Sequence, residues 1–241
     1  MLIARDFVFL HVPKTGGTFV QQTILDFMSA ETSSFTHAPY SELPATARKL
    51  PGFYIVRNPW DWYVSWYHYW RERGAERPPD RLWRRGWKAA AWELLDFGQA
   101  SFAEFTTRAC MGEFDTARMF PGFDCAGLDL YSCYLRSIVG EALGRDDYAA
   151  LRYERLRGDV RMYLRDRADV GRDLLRALRT DPALRTSEHD PYPVYFDDGL
   201  RRLVGDKTRW ICAGFGYSFG GKQARQSSRA RRRPHQAREQ R

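Results

Sequence analysis

The segment from residue 7 to residue 19 combines residue types that bind phosphate-like anions. Lys14 carries a full positive charge. Gly16 and Gly17 follow it and have no Cβ, so the backbone there can turn sharply and bring its N–H groups close to an anion. A helix that opens near Thr18 would add the positive end of its dipole. The segment therefore predicts an anion site made from one lysine, backbone amides and a helix N-terminus.

The order of these residues distinguishes two kinds of anion loop. In the nucleoside-triphosphate P-loop, G-x-x-x-x-G-K-[ST], the lysine follows the last glycine, whereas here Lys14 precedes both glycines. The order Pro-Lys-Thr-Gly-Gly-Thr over residues 13–18 resembles instead the 5′-phosphosulfate loop of sulfotransferases that use 3′-phosphoadenosine 5′-phosphosulfate (PAPS), especially the branch that acts on carbohydrate hydroxyls. The resemblance implies the following donor-binding residues: Lys14, Thr15, Gly16, Gly17 and Thr18.

A second segment, residues 53–70, has the pattern of a buried strand, a turn at Asn58-Pro59 and a helix. It resembles the sulfotransferase element that holds the 3′-phosphate of the donor, in which an arginine ends the strand and a serine follows eight residues later. Arg57 and Ser65 have that spacing. A guanidinium can bind a phosphate through two N–H groups, and a hydroxyl adds a neutral donor. The alternative is structural: an ion pair for Arg57 and a helix contact for Ser65.

Two aromatic residues are further candidates for donor binding. Residues 151–156, Leu-Arg-Tyr-Glu-Arg-Leu, resemble the Tyr-Glu-Asp-Leu element of the family, whose tyrosine lies beside the adenine, although Arg155 here replaces the usual aspartate. The resemblance therefore implies an adenine contact for Tyr153. It implies the same for Phe19, because family members stack an aromatic ring on adenine at that position. Each of the two rings is equally consistent with a place in the hydrophobic core.

Sulfuryl transfer, the reaction that the resemblance implies, needs positive charge at the leaving oxygen and a base for the acceptor hydroxyl. Lys14 is expected to reach the bridging oxygen. His37 resembles the histidine that serves as catalytic base in glycan sulfotransferases, and an imidazole with an ordinary pKa of about 6.5 suits that role. His11, His68 and a carboxylate stay open as alternatives. No metal is expected, because the sequence shows no ligand cluster of histidine, cysteine and carboxylate residues.

The elements around these residues alternate as in an α/β fold. We predict a single P-loop-like domain with a central parallel sheet flanked by helices. Short apolar runs predict strands over residues 7–12, 53–56 and 147–154, and helical spacing predicts helices over residues 19–28, 59–73, 155–179 and 197–204.

The sulfotransferase domain is predicted to span residues 1–221. Residues 74–125 form an irregular insertion in this prediction, and it is expected to act as an acceptor lid. Residues 222–241 hold eight Lys or Arg and one Glu, a net charge of +7, so the remaining chain carries about +1 of the total +8. Because this tail is almost without apolar residues, it is expected to be disordered. With a nearly neutral domain, no specific nucleic-acid function is expected.

Composition also restricts the location and the class of protein. With 44% hydrophobic residues, the 241-residue chain can bury one α/β core. No apolar run approaches the about 20 residues that span a bilayer, and no secretory signal pattern is present, so a cytoplasmic location is expected. The four cysteines form no C-x-x-C pair and are expected to be reduced thiols, although one disulfide among them stays open.

The acceptor is the least defined part of the predicted reaction. We expect a hydroxyl of a carbohydrate or small metabolite, with a lipid as a further option. Tryptophans could supply stacking faces for sugar rings or an apolar wall, although most aromatic residues at helical spacing belong to a core. These tryptophans are Trp60, Trp62, Trp66, Trp70, Trp83, Trp87 and Trp92.

Two other functions are alternatives to a PAPS-dependent sulfotransferase. One is a P-loop nucleotide kinase or NTPase, and the other is a non-catalytic nucleotide-binding module.

Overall fold

A computed structural model describes residues 1–76, 86–167, 169–184 and 187–220. Within these ranges, one mixed sheet contains five short strands: β1 (Leu2–Ile3), β2 (Val8–Leu10), β3 (Glu31–Thr32), β4 (Gly52–Val56) and β5 (Tyr148–Arg152). Their order across the sheet is β3-β1-β2-β4-β5. Strands β2, β4 and β5 are parallel, and β1 pairs antiparallel with both β2 and β3. The predicted central parallel sheet is confirmed, whereas the antiparallel edge was not predicted.

The helices cover both faces of this sheet. Successive strand residues point to opposite faces. Thus Phe9 and Phe53 belong to one hydrophobic cluster, and Leu10 and Tyr54 belong to the other. The described helices are α1 (Gly17–Phe27), α2 (Pro59–Glu76), α3 (Trp87–Leu94), α4 (Phe102–Met111), α5 (Thr116–Met119), α6 (Leu130–Val139), α7 (Leu156–Leu164), α8 (Arg172–Thr180), α9 (Asp198–Lys207) and α10 (Arg209–Phe215).

The three parallel strands place the candidate residues at one edge of the sheet. The register pairs Phe9 with Phe53, and it pairs Val56 with Arg152. The carboxyl ends of all three strands therefore lie at the same edge of the sheet. The lysine loop follows β2, the Arg57 turn follows β4, and the segment with Tyr153 follows β5. Parallel sheets commonly bind ligands beyond the carboxyl ends of their strands, so this edge is where a site is expected.

Two predicted elements differ from the structure. The insertion at residues 74–125 is not irregular where it is described, because it contains α3, α4 and α5. Helix α4 is stabilised by a capping box between Ser101 and Glu104. The predicted helix over residues 155–179 is two helices, α7 and α8, and Gly171 occupies the N-cap position of the second.

Some predictions concern residues outside the described ranges. The Pro78-Pro79 pair and Trp83 belong to this group, and so does the tail at residues 222–241. Within the described ranges, no helix is both long enough and apolar enough to cross a membrane.

Candidate active site

The loop between β2 and α1 has the geometry of an anion-binding turn. Lys14 adopts a left-handed backbone with φ 63°, and Gly16 does so with φ 79°. Helix α1 then starts at Gly17, and no side chain accepts a hydrogen bond from its first turn in the described part of the chain. The first backbone N–H groups of a helix have no partner within the helix, so those of α1 can bind an anion.

Both glycines of the loop lie where a side chain would collide. A Cβ on Gly17 would lie 2.2 Å from the ring of His11, and one on Gly16 would lie 2.6 Å from Leu156. Thr15 is fully buried, and its hydroxyl donates to the carbonyl oxygen of Val12 over 2.8 Å. That hydroxyl therefore stabilises the loop. The contact with the sulfuryl donor that is expected of Thr15 would involve its backbone N–H instead.

Arg57 is buried just after β4 and is held from three sides. Its Nε donates to Asp61 over 2.7 Å, and its Nη1 donates to the backbone oxygen of Lys14 over 3.0 Å. Its guanidinium carbon lies 4.0 Å from the ring centre of Tyr153. Although burial opposes the charge, the neighbouring Asp61 carboxylate raises the pKa of Arg57 above its ordinary value. Arg57 is therefore a fixed cation, and its five N–H donors are not all used by these contacts.

A cavity of about 690 Å³, named here the Arg57 cavity, contains most of the residues predicted to bind the donor. Arg57 and the buried Ser65 both line it. The predicted residues that line it are Lys14, Gly16, Phe19, Arg57, Ser65 and Tyr153.

The two aromatic candidates each combine a cavity position with a core contact. Phe19 lines the Arg57 cavity but also packs in the hydrophobic cluster beneath the sheet, with the guanidinium of Arg157 at 4.5 Å from its ring centre. Tyr153 lines the same cavity and is partly buried. Because Arg57 lies against the Tyr153 ring, this tyrosine positions the arginine as well as facing the cavity.

His37 lies on the other side of the loop, and its contacts fix its tautomer. Its Nδ1 is 2.8 Å from the backbone oxygen of His11. Since a carbonyl oxygen can only accept, Nδ1 carries the proton and Nε2 holds a lone pair in the neutral ring. Burial lowers the pKa of His37 to about 4, with the bond to His11 opposing that shift. His37 is therefore neutral and able to accept a proton at neutral pH.

The alternative histidines have other contacts. His11 is buried, its ring lies against Gly17, and its Nδ1 is 3.2 Å from the side-chain oxygen of Gln21. It holds His37 and the loop in place. His68 stacks on His189 with ring centres 5.3 Å apart, and it lines neither of the cavities described in this section.

A second cavity of about 770 Å³, named here the His37 cavity, lies beside the first. His37 lines it, together with Gly17 and Thr18 of the loop. Lys14 and Gly16 line both cavities, so the two spaces meet at the anion loop.

Lys14 has an unusual electrostatic environment at this junction. Its Nζ lies 3.8 Å from the ring centre of Tyr69. Burial, together with the positive charges of Arg57 and Arg73, lowers the pKa of Lys14 to about 7, while Glu72 opposes the shift. The lysine is therefore close to half protonated at neutral pH, and a bound anion would favour its charged form.

The tryptophans divide between the core and the His37 cavity. Trp66, Trp70 and Trp87 line that cavity. Trp60 and Trp62 line neither cavity, and their Nε1 atoms donate to the backbone oxygens of Arg201 and Pro13.

Several residues of the site were not predicted. Asp61 orients Arg57, and its position four residues further along the chain is a signal that could have been used. Glu154 accepts hydrogen bonds from the backbone N–H of Asn58 over 2.6 Å and from the hydroxyl of Tyr217 over 3.0 Å, so it holds the Arg57 turn. His189 lines the Arg57 cavity from a loop more than 120 residues away in sequence, and nothing in its local pattern indicates this.

Comparisons with known proteins identify the family and the fold. A family model described as a sulfotransferase domain matches residues 26–166, which is more than half of the chain and includes His37, Arg57, Ser65 and Tyr153 but not the Lys14 loop. Among solved structures, the chain is similar to the crystal structure of mouse sulfotransferase SULT7A1 complexed with PAP. The identity is 17%, the match covers 88% of this chain and 86% of that chain, and the TM-score is 0.51, a likeness of fold. No curated protein shows significant similarity to the chain.

Proposed function

The chain belongs to the sulfotransferase domain family, and we propose that it transfers a sulfuryl group from PAPS to a hydroxyl of an acceptor molecule. The observation that carries this proposal is the junction of the two cavities at Lys14 and Gly16. A donor in the Arg57 cavity and an acceptor in the His37 cavity would meet beside the lysine. Transfer between two bound molecules requires this arrangement.

The chemistry of the Arg57 cavity fits a nucleotide with phosphate groups at both ends. The loop amides and the start of α1 would bind the 5′ end, where Gly16 and Gly17 leave no room for a side chain. Arg57 and Ser65 would bind the 3′-phosphate, since a buried guanidinium binds phosphate strongly and with defined geometry. Phe19 and Tyr153 line the space between these two ends.

Lys14 would stabilise the charge that develops on the leaving oxygen. When bound, PAPS supplies the activated sulfuryl group: the acceptor oxygen forms a new bond to sulfur as the bond from sulfur to the 5′-phosphate oxygen breaks. A lysine with a pKa of about 7 gains charge as negative charge approaches it. Lys14, Arg57 and the loop amides can supply the positive charge, so we also propose that no metal ion is needed.

His37 would act as the general base. The hydroxyl proton would pass to Nε2, because Nδ1 is already protonated and donates to His11. The low pKa of about 4 keeps His37 neutral and ready to accept this proton over the physiological range. His37 lines the proposed acceptor cavity together with Lys14, which supports this role.

Calorimetry with adenosine 3′,5′-bisphosphate (PAP) tests the donor half of this proposal. We expect PAP to bind equally well with EDTA and with magnesium, and more tightly than ADP, which lacks the 3′-phosphate. Binding of ATP that depends on magnesium, with weak binding of PAP, would support a kinase or NTPase instead.

Transfer from labelled PAPS to panels of phenols, hydroxy acids, glycans and lipids tests the second half. We expect label transfer to at least one class, and its loss in Lys14→Ala but not in Lys49→Ala, which changes an exposed lysine outside both cavities. A protein that binds PAP but transfers label to no acceptor would be a non-catalytic nucleotide-binding module.

A further inference from the structure

Eight of the residues that line the His37 cavity are phenylalanine, tryptophan or tyrosine. Its volume of about 770 Å³ lies within the range of about 300–1,000 Å³ that is typical of small-molecule sites. The ring of Trp87 stands nearly perpendicular to that of Trp70 and to that of Phe35, with interplanar angles of 89° and 76°. These rings form a corner between α2, α3 and the loop after β3. The other aromatic residues of the wall are Trp66, Tyr69, Phe120, Phe123 and Tyr134.

The polar side chains of this cavity do not suit a carbohydrate. Sugar rings carry a hydroxyl on most carbons, and each buried hydroxyl needs a hydrogen-bond partner. Among the described residues that line the cavity, Asp, Asn and Gln are absent, and Glu42 is the one carboxylate. A lining rich in aromatic rings, with one carboxylate and no side-chain amide among the described residues, suits a molecule with flat apolar faces and few hydroxyls. Of the two acceptors expected from the sequence, we therefore favour the small metabolite over the carbohydrate.

Arg73 supplies a cationic group among the aromatic residues of the His37 cavity. It lies on α2, lines the His37 cavity, and is only partly exposed. In the part of the chain that the structure describes, Arg73 forms no ion pair, and its guanidinium carbon lies 5.2 Å from the ring centre of Tyr69. Arg118 lines the same cavity but is paired with both Glu93 and Asp115. Arg73 is thus suited to an anionic group of a ligand.

The position of Arg73 limits the size of that ligand. The Nζ of Lys14 lies 3.8 Å from the ring centre of Tyr69, and the guanidinium carbon of Arg73 lies 5.2 Å from the same point. The two cations are therefore no farther apart than the sum of these distances, about 9 Å. Within this upper limit, one or two aromatic rings would fit between a hydroxyl at Lys14 and a carboxylate at Arg73.

We propose that the acceptor is a hydroxylated aromatic acid of one or two rings. Its rings would lie against the aromatic corner, its hydroxyl beside His37 and Lys14, and its carboxylate on Arg73. This inference rests on the proposed sulfotransferase function and adds the chemical class of the acceptor.

Equilibrium binding to the PAP-saturated protein tests the carboxylate contact without relying on turnover. The probes are 6-hydroxy-2-naphthoic acid and its methyl ester, which differ in charge but share the ring system and the hydroxyl. By calorimetry, we expect the acid to bind at least about tenfold more tightly than the ester, as for a charge-assisted pair. In Arg73→Gln the affinity for the acid should fall to that for the ester, and the affinity for the ester should be unchanged.

Arg71→Gln is the matched control, since Arg71 is on the same helix but lines neither cavity. It should bind both probes like the wild type, and the melting temperatures of both variants should show that they are folded. Equal affinities of acid and ester in the wild type would overturn the inference. Tighter binding of an N-acetylglucosamine tetramer than of the acid would also overturn it. So would an equal loss of affinity for the acid and the ester in Arg73→Gln.

The two proposals fail in different ways. If PAP itself does not bind, the proposed function fails. If PAP binds and labelled PAPS transfers sulfuryl groups to some acceptor, while the acid shows no advantage over the ester, only the assignment of the acceptor class is wrong.

Discussion

The Arg57 cavity and the His37 cavity meet at Lys14 but are built in opposite ways. The Arg57 cavity is lined at its charged end by residues that directly follow parallel strands, and its predicted contacts are charges, hydroxyls and backbone amides. The His37 cavity is lined by aromatic residues from the loop after β3 and from α2, α3, α6 and the segment after α5. We therefore expect recognition in the Arg57 cavity to depend mainly on charge, and recognition in the His37 cavity to depend mainly on shape.

This difference has a consequence for specificity. A charged site of fixed geometry selects one chemical group, such as a phosphate, and tolerates little change. An apolar pocket discriminates weakly between molecules of similar shape, because one methylene group changes binding by only about 1–3 kcal/mol. We therefore expect a strict choice of donor and a broader choice of acceptor, except where Arg73 imposes a charge requirement.

The largest effect is expected where the two cavities meet. Lys14→Ala should lower turnover by about 10²–10³-fold, the range seen when one group that stabilises transition-state charge is removed. The affinity for PAP should fall by less than turnover does, because the charge of Lys14 matters most when the leaving oxygen becomes negative. Initial rates and calorimetry on the same preparation measure the two quantities. Equal losses in both would place Lys14 in donor binding alone.

On the acceptor side, His37→Gln should lower turnover by about 10²-fold, within the usual range for a general base, and should leave PAP affinity unchanged. Only the neutral ring can accept a proton, so activity should persist as the pH falls below 6.5 and disappear as it approaches the His37 pKa of about 4. His68→Gln is the control, since His68 lines neither cavity. Near wild-type turnover in His37→Gln from pH 6 to 9 would exclude His37 as the base and make His11 the next candidate.

On the donor side, Arg57→Ala should weaken PAP binding by about 1.5–3 kcal/mol, because charge-assisted hydrogen bonds to the 3′-phosphate are lost. Adenosine 5′-phosphosulfate, which has no 3′-phosphate, should bind almost as well as before. This pair of ligands is its own control when the variant melts like the wild type. Equal losses for the two ligands would show that Arg57 does not recognise the 3′-phosphate.

The smallest effect is a transfer of protons on donor binding. Lys14 has a pKa of about 7 in the free protein, and a bound anion should raise it. At pH 8 the complex then holds more protons than the free protein, so binding should take up a fraction of a proton, and PAP affinity should fall as the pH rises above 7. Calorimetry in buffers of different ionisation enthalpy measures this uptake. Lys14→Met should abolish it, and uptake that persists in this variant would assign the proton to another group.

The fold could be predicted where a strand or helix is long enough to show a pattern. Strands β4 and β5 each have five residues, and their apolar runs are visible in the sequence. Strands β1 and β3 have two residues each, too few for any periodicity, so only their pairing partners define them. The break between α7 and α8 was missed because arginine and aspartate residues continue through it, and Gly171 alone marks the new start.

The site divides in the same way. Lys14, Arg57 and Ser65 line one cavity, and their place there could be predicted because each is set by spacing within its own strand-loop-helix unit. Glu154 lies within residues 151–156, which resemble a family element, but its contacts are with Asn58 and Tyr217, which are distant in sequence. The aromatic corner of the His37 cavity arises only when Phe35, Trp70 and Trp87 pack together. Such contacts depend on tertiary structure and have no local signature.

The Arg57 turn is also held by a segment near the end of the described chain. The side-chain amide of Asn58 donates to the backbone oxygen of Ser218, a contact that spans 160 residues, and Tyr217 reaches the same turn through Glu154. A ribosome therefore releases the arginine turn long before it releases the residues that brace it. During synthesis the nascent protein should acquire the ability to retain its nucleotide only after Tyr217 and Ser218 have emerged, when most of the sheet and its helices have already formed.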